Sequence, residues 1–185
     1  MRVVGGKYKR KHFAVPRTFK ARPTTDFAKE NLFNILSNVY LDFEDGEIEA
    51  LDLFGGTGSI GLEFVSRGCK KVVTVEKDFK HYQFISKVAH ELNDRAWLPV
   101  HADVFKYLQR CSCSFDVVFA DPPYALDKLA DIPQIVLESN VLKEDGMLIL
   151  EHGKSDDFSS HPCLIDHREY GSVNFSIFRK TPLAD

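Results

Sequence analysis

Five short apolar runs punctuate the middle of the chain, at 50–54, 71–75, 97–100, 116–120 and 147–150. Between them, stretches at 59–67, 79–92, 104–109 and 126–142 repeat apolar residues close to the helical period of 3.6. Short buried strands alternating with helices predict a mostly parallel, doubly wound α/β sheet, because parallel neighbours need crossovers and are covered on both faces. Beyond residue 163 the character changes. Segments 164–170 and 173–179 interleave polar and apolar residues on either side of Gly171-Ser172, which reads as a closing antiparallel hairpin. Ahead of the core, 24–40 places Phe27, Leu32, Ile35, Leu36, Val39 and Tyr40 near helical spacing, with Thr24 or Thr25 as N-cap. An acidic turn at 42–47 follows. A chain of 185 residues predicts a single domain burying roughly two-thirds or more of its unfolded surface. Its parts are an arm (1–23), a linking helix (24–40) and a core (48–185).

Composition narrows the class. The chain is 44% hydrophobic and 28% charged, and no apolar run approaches the ~18 residues of a membrane span. Its first residues lack the apolar stretch of a secretory signal, so a cytoplasmic protein with reduced thiols and no membrane partner is expected. Cys69, Cys111, Cys113 and Cys163 are scattered. Cys111-Ser112-Cys113 has no second pair, and no metal site is expected, since structural zinc takes four ligands.

The net charge of −3 conceals a split. Residues 1–22 carry Arg2, Lys7, Lys9, Arg10, Lys11, Arg17, Lys20 and Arg22 without one acid, while the remainder holds 16 basic residues against 27 acidic. A basic arm on an acidic body is the footprint of polyanion binding, although a solvated tail has the same charge. Val3, Val4, Phe13, Val15 and Phe19 interleave with the cations, which predicts an ordered hairpin turning at or just after Gly5-Gly6.

Two motifs carry chemistry. The first predicted strand runs into Gly55-Gly56-Thr57-Gly58-Ser59-Ile60-Gly61, at the carboxyl edge where doubly wound sheets bind ligands. Glu76 follows Gly56 by 20 residues, where an acid grips ribose hydroxyls. This loop admits both NAD and S-adenosylmethionine. Asp103, after the third strand, is placed either to accept from an adenine amino group or to cap the next helix.

The second motif, Asp121-Pro122-Pro123-Tyr124, ends the fourth strand and faces the same edge. An exocyclic amine on a base is a poor nucleophile because its lone pair is delocalised into the ring. A carboxylate at Asp121 and a carbonyl at Pro122 can accept its hydrogens, aiming the nitrogen and stabilising positive charge that develops on it. The prolines fix φ and add no competing amide donor, and Tyr124 can stack on an extruded base. Glu151-His152, at the end of the fifth strand, also falls on the cleft side and reads more simply as structural.

With these residues the chain resembles the class I amino-methyltransferases. Arg2-Val3-Val4-Gly5-Gly6, Arg22-Pro23-Thr24-Thr25-Asp26, Asp52-Leu53-Phe54-Gly55-Gly56-Thr57-Gly58 and Asp121-Pro122-Pro123-Tyr124 are similar to the RsmD family of 16S ribosomal RNA guanine-N2 methyltransferases. The resemblance implies a Rossmann-like seven-stranded sheet with its last strand antiparallel, preceded by a small basic β-hairpin. It implies S-adenosylmethionine as cofactor, the small ribosomal subunit as partner and a monomer. By position, Gly55, Gly56 and Gly58 would bound the methionine end of the cofactor, Glu76 its ribose and Asp103 its adenine, with Asp52 and Thr57 also among the cofactor-binding residues. Asp121, Pro122 and Tyr124 would serve the guanine, and Arg2, Lys7, Lys9, Arg10, Lys11, Arg17 and Arg22 the RNA. The chain departs at Phe27-Ala28-Lys29-Glu30, where the family often has Arg-Val-Arg-Glu, so no arginine stands at position 27 for any RNA or cofactor contact. A DNA adenine-N6 or cytosine-N4 methyltransferase, or a protein glutamine-N5 methyltransferase, would use the same turn. An NAD dehydrogenase leaves Asp121–Tyr124 unexplained, and an RNA-binding module explains the arm alone.

Overall fold

The computed structural model describes residues 1–19 and 25–180; Lys20, Arg22 and Thr24 lie outside the described residues. Seven strands form one sheet in the order β3-β2-β1-β4-β5-β7-β6. The strands are β1 (Glu49–Leu53), β2 (Lys71–Glu76), β3 (Trp97–His101), β4 (Phe115–Ala120), β5 (Leu142–His152), β6 (Leu164–Tyr170) and β7 (Val173–Arg179). The first five are mutually parallel, and β7 runs antiparallel between β5 and β6. Helices α1 (Asp26–Ile35), α2 (Ser59–Ser66), α3 (Phe79–Leu92), α4 (Val104–Arg110) and α5 (Ile132–Leu137) cover both faces. Among the described residues, no helix is long and apolar enough to cross a membrane.

Period-two alternation divides the core. Leu51, Leu53, Val73, Val75, Val118, Ala120, Leu148 and Leu150 pack on α4 and α5. Ala50, Val72, Val117, Phe119, Met147 and Ile149 pack on α1, α2 and α3. On the same alternation the second set continues into Asp52 on β1, Asp121 just past β4 and Glu151 on β5, each two residues further along, and, through the buried Thr74, into Glu76 on β2. Four strands therefore deliver a carboxyl group to the same face at their carboxyl ends.

Three predicted elements change shape. The helix expected over 126–142 contracts to α5, because residues 122–131 wind through successive turns (Leu126 N to Pro123 O 2.8 Å, Leu129 N to Leu126 O 3.0 Å) before Pro133 starts the helix. The strand expected over 147–150 extends to Leu142–His152, since its first residue also pairs with Phe115. The linking helix is α1 followed by a π-helical turn at Leu36–Tyr40. Thr25 is its cap, Oγ1 accepting from Ala28 N at 3.2 Å.

The arm is a hairpin with one antiparallel bridge, Arg2 to His12, and a turn across Gly6 to Arg10. It is docked rather than free. Val4 N donates to the buried Glu63 at 3.0 Å, Tyr8 N to Ser66 Oγ at 2.9 Å and Lys7 N to the Ser66 carbonyl at 2.7 Å. Lys29, 1% exposed, binds the Arg2 carbonyl at 2.5 Å and Ser59 Oγ at 2.9 Å, tying arm, α1 and α2 together. Gly6 has φ +70°, and a Cβ there would stand 1.9 Å from the Ser66 carbonyl oxygen. Gly6→Ala is expected to release the hairpin, lowering Tm by about 4 °C or more and speeding hydrogen exchange at the Lys7 amide. Unchanged exchange at Lys7 contradicts this docking.

Candidate active site

A cleft of about 1160 Å³ opens over the carboxyl ends of the central strands, where the strand order reverses between β1 and β4. It is lined by Asp52, Gly55, Gly56, Thr57, Glu76, Asp103, Asp121, Pro122 and Tyr124, which gathers nearly all the cofactor and acceptor residues expected from sequence. Gly58 stands behind the loop instead, its α-carbon turned to Ile85 and Trp97. The arm residues lie outside the cleft.

The loop is held from beneath by a buried polar chain. Asp52 Oδ2 accepts from Gly61 N at 3.0 Å and from Thr74 Oγ1 at 3.2 Å, and Trp97 Nε1 donates to Thr74 Oγ1 at 2.9 Å. Gly61 must be glycine for this approach, since a Cβ would come within 2.2 Å of Thr74 Oγ1 and 2.9 Å of Asp52 Oδ2. Burial pushes the Asp52 carboxyl up to about 7 against these two hydrogen bonds, helped by the nearby Asp121 and Glu76 charges. Thr74 and Trp97 were legible only as strand residues. No local signal marks their part in supporting the loop.

Glu76 accepts from Gly56 N at 2.7 Å and Asp78 N at 2.6 Å, so it shapes the loop as well as facing the cleft. Gly58 N is likewise used, on the Gly55 carbonyl at 2.6 Å. A dinucleotide-binding loop turns such amides on a diphosphate, whereas here two of them are already satisfied within the chain. Asp103 performs the capping role: Oδ1 accepts from Phe105 N at 3.1 Å and Lys106 N at 3.3 Å, while Oδ2 meets Lys77 Nζ at 3.0 Å. The Lys77 hydrogen bond, with those from the backbone, holds its pKa below the usual carboxylate range.

Asp121 receives no hydrogen bond from a donor among the described residues, and burial raises its carboxyl to about 7. Tyr124 is 55% exposed at the mouth, beside Gly153. Its hydroxyl is pushed up to about 12 by burial, then by the Glu151 and Asp121 carboxylates.

Of the described residues lining the cleft, six are acids (Asp52, Glu76, Asp78, Asp103, Asp121 and Glu151), and Lys77 is the sole lysine or arginine. That set of acceptors fits a cationic ligand with hydroxyl and amino groups and opposes a phosphate.

The family described as "Conserved hypothetical protein 95" matches residues 1–179. This chain belongs to that family, the RsmD family of class I methyltransferases. It is 30% identical over 191 residues to "Putative rRNA methyltransferase YlbH" of Bacillus subtilis, covering 97% of this chain and 99% of that one. "Ribosomal RNA small subunit methyltransferase D" of Escherichia coli is 26% identical over 183 residues, covering 97% and 90%. Among solved structures, hypothetical protein TTHA0928 of Thermus thermophilus superposes with a TM-score of 0.82 at 28% identity, covering 96% and 98%. Within this family fold the basic residues divide. Arg2 pairs with Asp26 at 2.8 Å and Lys7 with Asp94 at 2.7 Å. Lys9, Arg10, Lys11 and Arg17 are exposed, with the Lys7 and Lys11 ammonium groups 5.3 and 5.2 Å from the Tyr8 ring centre. Arg22 lies outside the described residues.

Proposed function

We propose that this chain transfers a methyl group from S-adenosylmethionine to the exocyclic N2 amino group of a guanine in small-subunit ribosomal RNA. The observation that carries the reading is that Asp121–Tyr124 and the glycine loop open on one acid-lined cleft. Bound there, S-adenosylmethionine supplies an electrophilic methyl group on a sulfonium centre. Gly55, Gly56 and Thr57 would bound its amino-acid end, Glu76 its ribose hydroxyls and Asp103 its adenine amino group.

The remaining work falls to the acceptor side. Asp121 accepts one N2 hydrogen and the Pro122 carbonyl the other, which localises the nitrogen lone pair and points it at the methyl carbon. As nitrogen becomes positive, the Asp121 carboxylate stabilises it and takes the departing proton, a transfer suited to a group whose pKa lies near 7. Tyr124 stacks on the base and closes the mouth, a contact worth about 1–3 kcal/mol. Phosphates are repelled by the acids, so the RNA backbone stays on the basic arm while a single base enters. The likeness to small subunit methyltransferase D supports ribosomal RNA over DNA or a glutamine side chain. The 185 residues act as one unit, as a monomer in the cytoplasm.

Incubation with labelled S-adenosylmethionine and undermethylated small subunits should place label in N2-methylguanine. Label in methylated adenine, cytosine or glutamine would redirect the assignment, and none in any would end it. Neutralising Lys9, Arg10 and Lys11 together is expected to reduce the slope of log affinity against log salt by about 2–3, as fewer counterions are released. An unaltered slope removes the arm from the interface.

A further inference from the structure

Glu151 takes no part in the reaction just derived, yet it stands beside the residues that do. Strand β5 pairs with β4 so that Leu150 lies opposite Ala120. Glu151 and Asp121 therefore occupy the tips of adjacent parallel strands, about 5 Å apart across the sheet. Both continue the same alternation, Met147-Ile149-Glu151 and Val117-Phe119-Asp121, and both line the cleft with Tyr124. Glu151 is only 4% exposed. The strand end that carries it is fixed from the opposite face, where the buried His152 ring sits 2.8 Å from the Gly153 carbonyl through Nδ1 and 2.8 Å from Ser176 Oγ through Nε2. Such support from the layer behind is what holds a recognition group to a narrow geometry.

We infer that Glu151 selects guanine, its carboxylate accepting the N1 hydrogen while Asp121 holds the N2 amino group. The inference rests on the guanine reading above and adds to it the residue that makes the choice. Among the amino-bearing bases, guanine alone presents two adjacent donors on its pairing edge, N1–H and the N2 amino group. Adenine and cytosine set one amino donor beside a ring nitrogen that is an acceptor. Two neighbouring carboxylates match the guanine pattern. Against a ring-nitrogen lone pair, the second carboxylate would meet electrostatic repulsion, which is strong in a low-dielectric cleft. The Asp121–Tyr124 turn accepts any exocyclic amine, and the acid on the next strand restricts it to one base.

The test uses small-subunit RNA carrying either guanine or 2-aminopurine at the nucleotide that the parent protein methylates, assembled into particles. 2-Aminopurine keeps the N2 amino group but has a bare acceptor at N1. The parent protein is expected to prefer guanine by about 100-fold or more in kcat/KM. Glu151→Gln, whose amide can also donate, should lose about tenfold on guanine, gain on 2-aminopurine and bring the preference below about tenfold. Comparing ratios between the two proteins cancels the effect of the missing O6. A structural role for Glu151 would lower both rates together and leave the ratio unchanged, and that result overturns the inference. So would a parent protein that treats the two bases alike, whether or not the variant folds. If the parent leaves guanine unmethylated, the guanine reading itself has failed and takes this assignment with it, an outcome distinct from either of the others.

Discussion

Asp121→Ala is expected to lower kcat by about three orders of magnitude while leaving the dissociation constant for S-adenosylmethionine within about fivefold of the parent. The asymmetry follows from position. The glycine loop, Glu76 and Asp103 stay in place, whereas the acceptor amine loses the group that orients it and receives its charge. Single-turnover rates and calorimetry on the same preparation separate the two effects, and a variant with parental turnover refutes the role of Asp121. The same residue predicts a trade between stability and function. Burial raises its pKa from the usual carboxylate range to about 7, so the folded chain keeps a proton that the unfolded chain has released above about pH 4. The stability this group contributes is full below pH 4 and is lost as pH rises from there through 7. Asp121→Asn, which cannot ionise, should therefore raise Tm at pH 8 by about 3–6 °C and change it little at pH 4. Since its amide oxygen can still accept one hydrogen, its activity should fall between those of the parent and the alanine variant.

Gly61→Ala is the second large effect, and it acts on the fold beneath the glycine loop. The added methyl carbon would occupy space 2.2 Å from Thr74 Oγ1, 2.9 Å from Asp52 Oδ2 and 3.2 Å from Trp97 Nε1. Three hydrogen bonds meet at that point. Neither a strand nor the first turn of α2 can retreat without breaking them, and the freed polar groups are buried. A loss of about 3 kcal/mol or more is expected, together with loss of measurable cofactor binding, because the loop hangs from the Gly61–Asp52 contact. Thermal melts and calorimetry check both. A Tm within 2 °C of the parent, a margin of about 1 kcal/mol or less, would show that the junction yields more easily than this packing allows.

Much of the fold and site was legible because the signals are local. Alternating strands and helices, the turn chemistry of Gly171-Ser172 and the two loop motifs are each written within a few residues of where they act. Asp103 shows the limit of such reading, since a carboxylate before a helix serves as a cap whatever else it faces, and only its hydrogen bonds to Phe105 N and Lys106 N show that it caps α4. The shortened helix before β5 was missed because the Pro123–Leu129 turns keep apolar spacing without helical geometry. Lys29 and Glu63 would each be placed at the surface by residue type. They are buried because their partners, Arg2, Ser59 and Val4, arrive from distant segments.

From the sequence alone came the parallel α/β architecture, the glycine loop, the Asp121–Tyr124 turn and the basic arm, since periodicity and turn chemistry are properties of neighbouring residues. The tertiary structure alone decided that β1, β2, β4 and β5 each deliver an acid to one face. It also brought Glu151 beside Asp121, turned Gly58 inward and docked the arm on α2. Strand order and register are set by contacts between segments tens of residues apart, and a shift of one residue would send any of those carboxylates to the opposite face.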